Sequence, residues 1–221
     1  MSHLDGFLDK QVLLELIGRI KFTGILIDYG LDILVLYDGN QFVYIPLMQL
    51  QNIKINPQYD PKLTNPTERP MDVQEEKISY RNTLSNARGT YVKIFVTGNQ
   101  ILHGYVTSVL TNYFVFYSPA YRTMFISLQH LKWLIPYHAN KTPYSLKTQH
   151  LPMNPSHISL PRTLEEQIKK LEGNMVVFDI ADHPGKIGLL NKYEDNMIEL
   201  ITGDGDTVVW SVRHIKSIHL P

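Results

Sequence analysis

Histidines are the residues of this sequence best suited to bind a metal, and His138, His150 and His157 lie in one proline-rich segment. Zinc sites commonly take paired histidines that are about three to five residues apart on one helix. These three histidines are separated by 12 and 7 residues. The chain also has no cysteine, which excludes thiolate ligands, thiolate nucleophiles and disulfides. We therefore predict no metal site.

Aspartates could supply calcium ligands or a carboxylate pair for acid–base catalysis. Asp204 and Asp206 resemble the start of a calcium-binding loop, but Ile215 stands where such a loop needs a glutamate. Three further aspartates border predicted turns: Asp28, Asp32 and Asp38. The sequence contains neither a G-x-S-x-G motif nor a glycine-rich phosphate loop before a helix. We predict that the protein is not an enzyme and has no catalytic residues and no cofactor.

The overall charge and hydropathy limit the classes of partner. Twenty-one basic residues balance twenty-one acidic ones, so the whole chain is not attracted to nucleic acid or to an acidic membrane. The hydrophobic content of 43% is enough to build a core. The first residues lack the pattern of a signal peptide, and no apolar run is long enough for a membrane span. We expect a protein that first folds in a cytosol.

Aromatic residues are concentrated in the middle of the sequence, and some of them are predicted to be exposed because alternate residues of a strand face opposite sides. Tyr113, Tyr117, Tyr121 and Arg122 are the candidate partner interface, since tyrosine and arginine are enriched at protein interfaces. Two alternatives remain open. These rings could cover a sheet face against a neighbouring domain, or they could stack on nucleic-acid bases, although few lysines and arginines lie nearby.

Prolines divide the chain into three blocks. Nine of the thirteen prolines fall in two stretches: Pro57, Pro61, Pro66 and Pro70, then Pro136, Pro143, Pro152, Pro155 and Pro161. Because proline lacks the N–H needed for a strand ladder and restricts the preceding residue, residues 56–78 and 136–161 are predicted to be linkers. The remaining blocks, 4–55, 79–135 and 162–220, are predicted to be domains.

The three blocks align on a glycine that precedes a strand-like run. An apolar residue follows each glycine after 29 or 30 residues: Ile53 after Gly24, Leu134 after Gly104, and Ile218 after Gly188. This spacing predicts one unit present in three copies. In the same alignment Gln49, His130 and His214 share a position, which we call the slot. We predict that the slot side chain binds a backbone group between two strands.

Each unit has the periodicity of strands and the turn residues of hairpins. Asp38-Gly39-Asn40 and Gly203-Asp204-Gly205 separate strand-like runs, and these residues tolerate positive φ. Thr163 and Glu166 form a capping-box pattern before the third unit, which predicts a helix. Helices are also predicted at residues 80–87 and, from an apolar stripe, around Val12 to Ile17.

The predicted fold is mainly β. It consists of three tandem small SH3-like or Sm-like β-barrels, each preceded by a short helix and joined by proline-rich linkers. A unit of this size is marginally stable by itself, so the three should pack on each other or on another chain.

The end of the third unit, His214-Ile215-Lys216-Ser217-Ile218, resembles a repeated H-I-K-S-I ending in the spore coat protein B (CotB) family of Bacillus-type endospore formers. The N-terminal part of that family is similar to three tandem Sm-like units. The segment from His183 to Gly188 resembles the loop that leads to the family's strand glycine. The resemblance covers all three units and is specific in the third. The family's long Ser/Lys/Arg-rich tail has no counterpart here, so properties that depend on it are not expected.

The resemblance implies a non-enzymatic structural component of the spore coat or exosporium, synthesised in the mother-cell cytoplasm. It would act through contacts with other spore coat proteins and through self-assembly, as a homo-oligomer or a layered assembly. The alternative is an Sm-like RNA-binding module. The Arg-Gly of the Sm RNA-binding pattern is missing near the expected strands, and Asp195-Asn196-Met197 resembles the other RNA motif only faintly.

Overall fold

The computed structural model describes residues 3–67, 71, 78–97, 100–138, 141–146 and 159–221. The strands of the first block are β1 (Gln11–Leu16), β2 (Ile20–Tyr29), β3 (Ile33–Tyr37), β4 (Phe42–Pro46) and β5 (Leu50–Ile55). Those of the second are β6 (Tyr91–Phe95), β7 (Ile101–Val109), β8 (Tyr113–Ser118), β9 (Arg122–Ser127) and β10 (Trp133–Pro136). Those of the third are β11 (Met175–Phe178), β12 (Ile187–Glu194), β13 (Met197–Ile201), β14 (Thr207–Ser211) and β15 (Ser217–His219). The α-helices are α1 (Tyr80–Asn86) and α2 (Leu164–Lys170).

Within the described residues, the fifteen strands form a single antiparallel sheet. Their order is β14-β13-β12-β11-β15-β9-β8-β7-β6-β10-β4-β3-β2-β1-β5. We call β1–β5, β6–β10 and β11–β15 segments 1, 2 and 3. Each segment has the same internal order, from fourth strand through third, second and first to fifth. The mainly β prediction is confirmed, but the segments are joined in one continuous sheet and are not three separately closed bodies.

The segments meet at two junctions between strands of fixed type. The fifth strand of segment 2, β10, pairs with the fourth strand of segment 1, β4. The fifth strand of segment 3, β15, pairs with the fourth strand of segment 2, β9. We call these the first and second junctions. Consecutive segments are therefore connected by main-chain pairing as well as by the intervening chain.

The repeat glycines mark a close approach of the second and third strands. A Cβ at Gly24, Gly104 or Gly188 would lie 2.4, 1.9 or 2.4 Å from a carbonyl oxygen of the neighbouring strand. Each second strand also has an irregular register shortly after its glycine, at Leu26/Asp28, Val106/Ser108 and Leu190/Lys192. Because glycine permits close backbone approach and a bulge bends a strand, all three segments curve at the same repeat position.

Two of the three predicted helices are present. Thr163 and Glu166 form the predicted capping box at α2, and the Ser79 side chain accepts from the backbone N of Asn82 at α1. The helix predicted around Val12 to Ile17 is wrong, because Gln11–Leu16 is strand β1. Alternate burial of its apolar residues against the segment core favours a strand, and the helix that precedes it within the described residues is a 3₁₀ helix (Asp5–Phe7).

The hydrophobic core consists of three clusters that cross the segment boundaries. The cluster of segment 1 includes Trp133 and Ile135 from β10. The cluster of segment 2 includes Tyr44 from β4, and that of segment 3 includes Phe125 from β9. Strands at a junction therefore bury residues on both faces, which agrees with the expectation that such small units pack on each other.

The described part of the first proline-rich stretch, residues 56–67, contains neither helix nor strand. It packs against segment 1, where Gln11 Nε2 donates to the carbonyl of Asp60 at 2.6 Å and Gln11 Oε1 accepts from Asp60 N at 2.8 Å. In the second stretch, Pro136 still belongs to β10, and a 3₁₀ helix spans Pro143–Ser145. The predicted linker residues 68–70, 72–77, 139–140 and 147–158 lie outside the described residues.

Candidate interaction site at the strand junctions

The two junctions use the same register. At the first junction Leu134 is paired with Tyr44, and at the second Ile218 is paired with Phe125. Leu134 and Ile218 are the equivalent last apolar residues of their units, and Tyr44 and Phe125 each precede an equivalent isoleucine. All four side chains are at most 3% exposed. The same main-chain contact is thus made twice within one chain.

A side chain from the slot position crosses each junction. Gln49 Nε2 donates to the carbonyl oxygen of Gln129 at 2.6 Å. His130 Nε2 lies 2.9 Å from the carbonyl oxygen of Arg213, and it must carry the proton because a carbonyl only accepts. Each acceptor residue directly precedes the slot of the following segment. The predicted binding of the slot side chain to a backbone group therefore occurs at both junctions.

The electrostatic environment keeps the slot histidine neutral. Burial lowers the pKa of His130, and the nearby Lys216 and Lys132 lower it further. The hydrogen bond with the Arg213 carbonyl and the charge of Asp179 oppose this shift only in part. Burial also lowers the pKa of Lys132, with a contribution from Lys216. A neutral imidazole is the form that suits a single donated hydrogen bond at this place.

The loop before each third strand contacts the next segment. Asp32 Oδ1 accepts from Tyr80 N at 2.7 Å, at the first residue of α1. Asn112 Oδ1 accepts from Leu164 N at 2.8 Å, at the first residue of α2. Because the first amides of a helix have no partner within the helix, these side chains attach each helix to the preceding segment. Asn196 has the equivalent position in segment 3 and is exposed.

A buried carboxylate strengthens the second junction. Asp179 is fully buried, and its Oδ1 accepts from the backbone N atoms of Lys216 at 2.7 Å and Ser217 at 2.9 Å. Its Oδ2 accepts from Lys186 Nζ at 2.5 Å, and Lys186 also pairs with Asp182 at 2.9 Å. Burial by itself would lower the pKa of Lys186, but the hydrogen bonds to both carboxylates outweigh it and the pKa is raised. These charged groups are paired with one another, and their role is structural.

The four predicted interface residues do not form one exposed patch. Tyr113 is fully buried, and its hydroxyl donates to the carbonyl of Pro161 at 2.7 Å. Tyr117 is 4% exposed and accepts from Arg122 Nη1 at 3.1 Å. Tyr121 is half-buried and Arg122 is exposed. Tyr113 is covered because β8 lies between the cores of segments 2 and 3. For this residue the alternative, a ring that covers a sheet face against a neighbouring domain, agrees with the structure better than an exposed partner interface does.

A polar cleft of about 420 Å³ lies at the second junction. Its lining includes Asn112, Gln129, Glu165, Asn196 and Arg213. Asn112 Nδ2 donates to Glu165 Oε2 at 2.8 Å. Arg213 is balanced by the Glu165 carboxylate within the lining, so the cleft has no excess of positive charge to attract phosphate groups.

The described residues contain no group of three histidines and acidic side chains close enough to hold a metal ion. His150 and His157 lie outside them. No helix in the described part of the chain has both the length and the apolar character needed to cross a membrane.

The two outermost strands expose positions that the junctions bury. Val209, in β14, is 52% exposed, although it occupies the repeat position of Tyr44 and Phe125. Ile53, in β5, is only partly buried, although its equivalents at the junctions, Leu134 and Ile218, are at most 1% exposed. We call β5 and β14 the outer edges. Sequence analysis missed them as a candidate site. The repeat alignment locates the equivalent positions, but only the strand order shows which ones lack a neighbour.

Comparisons with known proteins identify the family. Residues 163–218, from the α2 cap to β15, match the family model for the YwrJ third domain. The whole chain is 43% identical over 225 residues to the uncharacterized protein YwrJ of Bacillus subtilis (strain 168), and the alignment covers all of both chains. The chain belongs to the YwrJ family.

Proposed function

We propose that this protein is a non-enzymatic structural component of the bacterial spore coat or exosporium, acting through protein–protein contacts and self-assembly. The observation that carries the proposal is the repeated junction, in which a fifth strand pairs with a fourth strand in one register. Exposed strand edges readily add strands from another chain. A chain built from such contacts is suited to a layered assembly.

In this proposal each segment is a strongly bent SH3-like or Sm-like barrel that is left open between its fourth and fifth strands. The close approach at the repeat glycines and the bulge in each second strand support this description. The opening is where a neighbouring segment inserts its core residues. The stretches 56–78 and 136–161 act as linkers between the barrels.

The spore location rests on the resemblance of the H-I-K-S-I segment, His214 to Ile218, to the spore coat protein B family. This segment lies in the region that matches the YwrJ third domain. The full-length relative comes from Bacillus subtilis, a bacterium of the Bacillus type in which the coat family occurs. We propose synthesis in the mother-cell cytoplasm, followed by incorporation beside other spore coat proteins.

Fractionation of purified spores tests this proposal. A strain producing an epitope-tagged chain should yield the protein in the coat or exosporium extract, released by detergent and reductant. A vegetative cytosolic enzyme serves as the control for carry-over and should be missing from that extract. Recovery of the chain only from vegetative cytosol would contradict the proposal.

RNA binding is the alternative, and the polar cleft at the second junction is the place where a base would bind. The charge balance of Arg213 and Glu165 there favours protein contact over phosphate contact. A filter-binding assay at low and moderate salt decides between them, because phosphate contacts weaken steeply with salt. Retention that falls with salt and is lost in Arg213→Ala would favour RNA, and no retention at low salt would exclude it.

A further inference from the structure

We propose that copies of this chain associate head to tail, with β14 of one copy pairing with β5 of the next. The surface is the pair of outer edges, and the partner is a second copy of the same chain. This inference deepens the self-assembly of the proposed function, which it takes as its starting point. The pairing itself does not depend on where in the cell the protein is found.

The two outer edges are the two complementary halves of a junction. Each internal junction joins a fourth strand to a fifth strand, as β4 with β10 and β9 with β15. Among the described strands, the fourth strand β14 and the fifth strand β5 are those with a single neighbour. One copy therefore offers the half that another copy needs. Two β14 edges would not reproduce this contact.

The internal register transfers directly to the outer edges. Val209 occupies the repeat position of Tyr44 and Phe125, and Ile53 that of Leu134 and Ile218. In the new junction Ile53 of one copy faces Val209 of the other. The exposure of Val209, 52% here against 2% for Tyr44, is what an unoccupied junction would show. Pairing would bury it as the internal junctions bury its equivalents.

Charges on the two edges are complementary in this register. At the second junction His219 faces Met124, and the equivalent residues place Lys54 opposite Val208. Asp206 lies two residues from Val208, so their side chains point to the same face of the sheet. A diagonal neighbour at this offset is within reach of a long side chain. Lys54 and Asp206 are both exposed in the single chain and would form an ion pair across the new junction.

The slot supplies a third contact. At each internal junction the slot side chain reaches the carbonyl of the residue that precedes the slot in the adjoining segment. In segment 3 the slot is His214, which is exposed. Segment 1 offers the carbonyl of Met48, whose side chain is 54% exposed. His214 of one copy would therefore donate to Met48 of the next.

Every copy has one edge of each kind, so the contact is heterologous. Such a contact closes into a ring when the rotation between copies permits and otherwise continues as a filament. Two copies in a ring would contribute three segments each. Both forms contain the same β14–β5 junction.

Cysteine pairing tests the register without background, because the chain has no cysteine. Ile53→Cys and Val209→Cys, made in separate chains and mixed under mild oxidation, should give a covalent heterodimer. Directly opposed strand residues lie within the Cα separation that a disulfide spans. Lys54→Cys mixed with Val209→Cys is the register control, and at least about tenfold less dimer is expected because adjacent strand residues face opposite sides. A second control tests the position of the contact. In it Ile53→Cys is mixed with Ile187→Cys, which lies on β12 inside the sheet, in place of Val209→Cys.

Light scattering tests the same surface without a covalent bond. The wild-type chain should have at least twice the mass of a single chain, and Val209→Lys should return it to one. Ile187→Lys, also an exposed apolar strand residue, should leave the mass unchanged. Lys54→Asp and Asp206→Lys should each weaken association when present alone, and a 1:1 mixture of the two should restore it, because both contacts between unlike chains then pair a lysine with an aspartate. The double variant Lys54→Asp/Asp206→Lys should restore association by exchanging the charges. Circular dichroism checks that every variant is folded.

A wild-type chain that stays monomeric at high concentration would overturn the inference. So would a multimer whose mass and crosslinking are unaffected by the edge variants, because another surface would then hold it together. Failure to find the protein in spores, with these results intact, would remove only the proposed location. A wild-type chain that is monomeric but is still incorporated into spores, to the same extent as Val209→Lys, would remove only this inference.

Discussion

The fifth strands β10 and β5 show how strongly a neighbour determines exposure. Leu134 and Pro136 in β10 are buried, whereas the equivalent residues of β5, Ile53 and Ile55, are partly buried and 49% exposed. Both strands pair with the first strand of their own segment. The difference is that β10 also pairs with β4. Burial at the repeat position of Leu134 and Ile53 therefore depends on an adjoining segment.

The two internal junctions differ in side chains but not in register. At the first, Trp133 and Ile135 of β10 enter the hydrophobic cluster of segment 1. At the second, the equivalent residues are Ser217 and His219, and Asp179 binds the backbone there. The register is thus compatible with apolar and with polar edges. This is why the polar residues of β5 do not argue against a third junction of the same kind.

The largest expected effect tests the contrast between buried and outer positions. Leu134→Asp and Ile218→Asp should each lower the free energy of unfolding by roughly 4 kcal/mol or more, because an unpaired carboxylate is costly in a core. Ile53→Asp should cost only about 1 kcal/mol in the single chain, since it loses partial apolar burial. Urea unfolding at low protein concentration measures all three. Equal losses of unfolding free energy in all three variants would contradict the contrast between buried and outer positions. The sequence alone predicts that all three are strongly destabilising, and the outer position of β5 is the reason for expecting less at Ile53.

An intermediate effect separates the two internal junctions. Asp179→Asn should destabilise the chain by about 3 kcal/mol, because Lys186 then loses its buried anionic partner. Gln49→Ala should cost about 1 kcal/mol, the typical contribution of a neutral hydrogen bond. Asp182→Asn is the control for charge, since Asp182 is partly exposed and is the second partner of Lys186. Chemical unfolding at neutral pH measures the free energy of unfolding of each variant. A loss of stability in Gln49→Ala as large as that in Asp179→Asn would contradict the distinction between the two junctions.

The smallest effect is a pH dependence at the slot of the second junction. The pKa of His130 is lowered from its usual 6.5 by burial, with Lys132 and Lys216 adding to and Asp179 opposing the shift. The unfolded chain then binds this proton more readily, so the stabilising contribution is complete above pH 6.5 and is lost as the pH falls through the lower native pKa. Gln49 shows that a glutamine in the slot can donate across a junction. His130→Gln should therefore keep the hydrogen bond and reduce the loss of stability on acidification.

Thermal unfolding of wild type and His130→Gln across this pH range measures the difference. His103 and His219 also have pKa values lowered by burial, so the variant should retain part of the pH dependence. His219→Gln is the comparison variant at the same junction. An unchanged pH profile in His130→Gln would show that the slot histidine is not held neutral by the fold.

Local features were predictable where they depend on a few neighbouring residues. The Thr163 capping box, the Asp38-Gly39-Asn40 hairpin turn and the repeat glycines follow from hydrogen bonding and sterics within a short stretch or between adjacent strands. The apolar stripe from Val12 to Ile17 is compatible with both a helix and a strand. Burial of alternate residues against the segment core favours the strand, β1. Tyr113 was expected among the exposed rings because the covering of β8 by segment 3 involves residues far along the chain.

The sequence by itself determined the repeat, the position of the bend in each segment and the polar character of the slot. Only the tertiary structure decided that β10 joins β4, that β15 joins β9, and that β5 and β14 remain outermost. The physical reason is that strand edges pair through backbone N–H and C=O groups, which nearly every residue carries. Side-chain pattern therefore shows that a strand can pair, and the spatial arrangement of the segments selects its partner.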